Sequence, residues 1–167
     1  MPDSHAFLAP VLIHETGARM HYLPLPPAVD EALRAEGARR VVATLNGLAV
    51  RRGIQSRTAS GRHLALSRDL MRQLGVAYGD LVEVEVHADP DPGHVELGEL
   101  AAALAADPEA QARFGTFTPG KQRSLAHYVT SAKRPGTRES RAAELARKIR
   151  THTLHGDKPR NPSGGLP

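Results

Sequence analysis

Hydrophobic positions change their spacing once along this chain, and the change divides it. Up to about residue 88 the apolar residues come in short runs or alternate, as in strands; beyond residue 93 they recur every three to four positions, as on helices. Ala6–His14 is apolar enough for a buried strand. Arg19–Leu25 alternates through Met20 and Tyr22, but Pro24, Pro26 and Pro27 keep it from the centre of a sheet. Pro27 suits the first turn of a helix over Pro27–Glu36, with Val29, Ala32 and Leu33 on one face and Gly37 as its stop. Val41–Leu45 and Leu48–Val50 flank Asn46-Gly47, the pair that a type I′ turn prefers, which predicts a hairpin continuing into Arg51 and Arg52. Arg57–Gly61 reads as a polar loop and His63–Leu66 as a short strand. Ser67 is placed to cap a helix over Arg68–Leu74 that Gly75 ends. Leu81–Val86 alternates strictly and turns Val82, Val84 and Val86 inward.

Asp89-Pro90-Asp91-Pro92-Gly93 reads as a linker. After it, Leu97, Leu100, Ala101 and Leu104 keep helical spacing; Asp107-Pro108 caps a second helix, and Thr118-Pro119 a third with Leu125, Tyr128, Val129 and Ala132 on one face. Pro135-Gly136 breaks the third helix, and Thr137 is read as the cap of a fourth, with Ala142, Leu145, Ala146 and Ile149 inward. The expected fold is α+β: a small barrel of about six short strands and two short helices over residues 1–88, a linker at 89–93, a helical segment at 94–154, and a flexible tail from 155 to 167.

Charge sharpens this division. Residues 1–119 carry 11 Lys/Arg and 15 Asp/Glu, whereas residues 120–167 carry 11 and 3, so the acidic-to-basic change falls inside the helical part. Such a basic segment either binds an anion or docks on acids of its own chain. The chain has no cysteine, which excludes disulfides, thiolate metal sites and Cys nucleophiles. Neither a leader-like N-terminus nor an apolar run of membrane-spanning length is evident, so a cytoplasmic location is expected.

Two stretches carry a family resemblance. Leu64–Val86, with its strand, capped helix, Leu74-Gly75, Gly79-Asp80 turn and alternating strand, resembles the swapped-hairpin barrels of the AbrB and MazE class. Phe117–Arg141, with its Pro-started helix ending in Ala132-Lys133 and its Thr137-Arg138-x-x-Arg141 helix, resembles the YdeI/OmpD-associated, or bacteriocin-protection, family. The N-terminal part, with His21-Tyr22 and Asn46-Gly47, is similar to a domain of unknown function found ahead of that family. The resemblance implies a double-split β-barrel followed by the family's helical segment. It implies a role in resistance to antimicrobial peptides by name only, and no settled chemistry. A proline is expected to open the first helix after the linker, where this chain has Gly98.

Two residue sets are candidates for binding. Lys133, Arg134, Thr137, Arg138 and Arg141 surround a helix start, where free amides and flanking cations suit an anion; the competing reading is that they form structural ion pairs. Asn46, Arg51, Arg52, Lys121 and Arg123 are candidates for nucleic-acid contact by the AbrB resemblance, in which barrel arginines meet phosphates; otherwise Asn46 serves its turn and the arginines are solvated. The histidines are scattered, with only His152 and His155 close in sequence, so no metal site is expected. No cofactor-binding or catalytic motif occurs, and His127 and Tyr128 read as surface and core respectively. The leading expectation is a binding module, monomeric or homodimeric, for an anionic partner: nucleic acid, acidic protein or phosphorylated ligand. The alternatives are an AbrB-type regulator, which needs an intertwined dimer, and a small-molecule enzyme.

Overall fold

The structure, a computed structural model, describes residues 2–58 and 61–157. They divide into two compact units, one ending at Pro92 and the other beginning at Gly93.

The first unit contains β1 (His5–Pro10), β2 (Leu12–Ile13), β3 (His21–Pro24), α1 (Pro27–Ala35), β4 (Arg40–Leu45), β5 (Leu48–Thr58), β6 (Gly61–Leu66), α2 (Arg68–Leu74) and β7 (Leu81–Ala88). The seven strands form one antiparallel sheet in the order β1-β7-β4-β5-β6-β3-β2. Only Val11 separates β1 from β2, so the two ends of that order are consecutive pieces of one segment. The sheet therefore curls into a nearly closed barrel, which leaves few strand edges unpaired. Val11 is fully buried at the bend, and its amide and carbonyl bond Asp80 and Gly79 at 2.8 and 2.9 Å.

Alternation sets what fills the barrel. Val41, Ala43 and Leu45 of β4 and Val82, Val84 and Val86 of β7 turn inward, and Leu23, Leu33 and Leu64 complete the packing. Asn46 and Gly47 take φ of 46° and 86°, as the I′ turn requires. Asn46 does more than turn the chain: its Oδ1 accepts from the Glu83 amide at 2.8 Å, tying the hairpin to β7. Ser67 caps α2 through the Leu70 amide at 3.1 Å. The segment expected as a polar loop at 57–61 is mostly strand, because β5 runs to Thr58 and β6 starts at Gly61, with an irregular register between Gln55 and Thr58. Pro24 is the last residue of β3, where a missing amide costs no central ladder bond.

The second unit contains α3 (Leu100–Ala105), α4 (Pro108–Gly115), α5 (Pro119–Thr130) and α6 (Pro135–Thr151). All four contribute to one core, including Leu100, Phe114, Val129, Leu145 and Ile149. Asp107 and Thr118 cap α4 and α5 as the sequence suggests. Three expectations change. Thr137 is not the cap of α6: the helix starts at Pro135 with Arg134 in the cap position, and Thr137 lies within the first turn. Tyr128 is not core but 43% exposed, because Ala126 and Val129 form the buried face of α5. Gly98 adopts φ +55°, a conformation closed to proline, and α3 begins two residues later. The segment from 155 on was expected to be loose; residues 158–167 lie outside the described residues, but Asp157 is held by Arg113 through bonds of 2.7 and 3.2 Å.

Candidate functional site

The helical unit's basic residues cluster where α5 ends and α6 starts. Pro135 forbids further growth of α5 and is tolerated in the first turn of α6, so the chain turns there. Arg138 and Arg141 bind that turn from within. Arg138 donates from Nε to Glu99 Oε1 at 2.7 Å and from Nη1 to the carbonyls of Ala132 and Lys133 at 3.1 and 3.2 Å. The bonded guanidinium holds the Glu99 carboxyl below the usual carboxylate range. Arg141 donates to the Tyr128 carbonyl at 2.8 Å and lies 4.7 Å from the centre of its ring.

Lys133 and Arg134 differ. Both are exposed, and neither has a carboxylate at ion-pair distance among the described residues; the Arg134 side chain does not cap the helix it precedes. Thr137 is exposed beside them, its amide bonded to the Arg134 carbonyl. The sequence-predicted set thus comes together at one corner, with Arg138 and Arg141 building it and Lys133, Arg134 and Thr137 presented to solvent.

The second set divides between the two units. Asn46 bonds the Glu83 amide. Arg51 pairs with the buried Asp89 at 3.0 Å and reaches the Asp91 carbonyl at 3.1 Å. Arg52 donates to the Arg51 carbonyl, and burial lowers its pKa. In the helical unit, Lys121 lies 4.0 Å from the centre of the Phe117 ring, and Arg123 is half-buried with a partner of its own.

Two features escaped the sequence. Asp89, read as linker, anchors the end of β7: it accepts from Arg51 and the Asp91 amide and faces Arg40 at 3.9 Å. Its place just beyond an alternating strand was the available signal. His14, Tyr22 and His63 form a ring cluster with centroids 4.4 to 4.9 Å apart. They come from separate segments of the barrel, so no local pattern announces them.

The molecule is therefore a small antiparallel barrel domain joined in one chain to a helical unit with a basic corner. Residues 97–152 match the family model described as Bacteriocin-protection, YdeI or OmpD-Associated, and residues 7–86 match a domain of unknown function (DUF1905). The helical unit is thus similar to the YdeI/OmpD-associated family and the barrel to that domain of unknown function, as the two sequence resemblances implied. No curated protein matches it. Among the described residues no helix is long and apolar enough to cross a membrane.

Proposed function

We propose that the protein works by binding, and that the α5–α6 corner is where an anionic partner engages. The carrying observation is the unequal use of its cations. Arg138 and Arg141 are held by groups of the same unit, while Lys133 and Arg134 are exposed with no carboxylate partner among the described residues. Unpaired surface cations favour an anion without the desolvation cost of breaking an existing pair. Thr137 supplies a hydroxyl beside the two free cations.

The test uses a fluorescein-labelled single-stranded oligonucleotide as probe, with anisotropy followed as salt is raised. Binding is expected to weaken linearly in log–log form, and Lys133→Ala with Arg134→Ala is expected to reduce the slope by about 1.4, roughly 0.7 for each phosphate that is no longer neutralised. Inorganic polyphosphate is expected to compete. No binding of either probe at low salt, or an unchanged slope in the double variant, sinks the reading. Replacing Lys133 and Arg134 is the cleaner test, because removing Arg138 also frees Glu99 and two carbonyls.

A further inference from the structure

At the end of the barrel, α2 and the loop that follows it border a cavity of about 700 Å³ that opens to solvent. Its size falls in the range of small-molecule sites. Met71, Val76, Ala77 and Tyr78 supply an apolar wall, and His21, Arg68 and Arg72 supply its polar edge. Tyr78 is 63% exposed, and Met20, next to His21 in the chain, is 50% exposed. Large apolar groups left in water near a concave surface favour an apolar occupant.

The wall's backbone is held by hydrogen bonds of its own. The Val76 amide bonds the Met71 carbonyl at 3.1 Å, the Ala77 amide bonds Asp80 Oδ2 at 2.8 Å, and the Gly79 amide bonds the Val11 carbonyl at 2.9 Å. Ligand binding then costs little loop ordering. The two arginines are not equivalent. Arg72 is paired with Asp69, whereas Arg68 is exposed and has no ion pair among the described residues. One uncompensated cation beside an apolar wall matches one negative charge on an apolar body.

We propose that this cavity binds a small amphiphilic monoanion, a carboxylate with a short hydrocarbon chain or ring, with its charge on Arg68 and its apolar part against Met71, Val76 and Tyr78. This is a site separate from the basic corner of the helical unit.

The test titrates the full chain with octanoate and with neutral 1-octanol, following backbone amide NMR shifts. Octanoate is expected to shift Gly75, Val76, Ala77 and Tyr78 saturably, at millimolar affinity or better. Arg68→Ala is expected to weaken octanoate about tenfold, the loss of one charge-assisted hydrogen bond, and to leave octanol unchanged. Ala77→Trp, which sets a bulky ring against the apolar wall, is expected to abolish both, with the far-UV circular dichroism of both variants confirming the fold. The proposal is overturned if octanoate gives no saturable shifts at these amides, if Arg68→Ala binds it as the parent does, or if a folded Ala77→Trp still binds.

Discussion

Replacing Asp157 by alanine removes three hydrogen bonds at once: two from Arg113 at 2.7 and 3.2 Å, and one from the Leu154 amide at 2.8 Å. Bonds to charged groups contribute about 1.5–3 kcal/mol each when well shielded. Here the two side chains keep 18% and 10% of their exposure, so water offsets part of the loss. Arg113 also retains the Ile149 carbonyl at 2.7 Å and the Phe117 ring, so it is not left uncompensated. The expected cost is therefore about 2 kcal/mol rather than the sum of the three bonds. Bonding to Arg113 holds the Asp157 carboxyl below its ordinary value. A carboxylate depressed in the folded state contributes fully above its unfolded pKa of about 3.9, and the contribution is lost as pH falls through the lower folded value. Urea unfolding followed by circular dichroism at neutral pH is expected to show the variant about 2 kcal/mol less stable, and the gap is expected to narrow as pH falls below about 3.9. A neutral-pH gap below about 0.5 kcal/mol, or one that does not change with pH, refutes the reasoning.

Two further predictions concern the backbone and the barrel. His63 is buried, its Nδ1 has no partner among the described residues, and burial followed by the charge of His14 pushes its pKa down. Its unfolded value is about 6.5, so its share of stability is complete above that pH and falls as pH drops through it towards the folded value; His63→Phe is expected to flatten that slope in urea melts between about pH 7 and 5. Gly98→Pro is expected to cost about 1–3 kcal/mol by thermal melting, since proline cannot adopt the observed φ of +55°; Gly98→Ala fails too, because its Cβ would lie 2.8 Å from Thr130 Cγ2. Wild-type stability in either Gly98 variant would show that the left-handed backbone there is not required.

Local chemistry explains which elements were legible. The Asn46-Gly47 turn, the Ser67 cap and the inward valines of β7 are each specified within a few residues, so the sequence announces them. The extension of β5 to Thr58 was hidden because its residues Arg57 and Thr58 are polar, and its pairing with β6 is decided by a partner strand rather than by its own pattern. The start of α6 was misplaced for a different reason. Thr137 is a good cap by type, but Pro135 two residues earlier already fixes a helical φ, and the helix begins there. The hold on Asp157 depends on Arg113, 44 residues away, and no local window contains it.

The same distinction governs the basic segment. Composition counts every arginine as a charge, but several also act as donors to carbonyls at or just beyond helix ends. Arg138 serves the carbonyls of Ala132 and Lys133 after α5, Arg141 serves Tyr128 in the last turn of α5, and Arg113 serves Ile149 in the last turn of α6. Sequence neighbours close part of these ends, as Ser131 does for Tyr128 and His152 for Ile149; the guanidinium donors arrive from other helices or from one turn further on. The fork of the guanidinium lets one side chain hold a carboxylate and a carbonyl together, as Arg138 and Arg113 both do. Lysine cannot match that geometry, so substituting lysine keeps the net charge while breaking the α5–α6 corner at Arg138 or loosening the end of α6 at Arg113. Net charge is therefore a poor guide to binding here. The charge left for a partner is the part not already engaged in closing helices, and at the α5–α6 corner that part is Lys133 and Arg134.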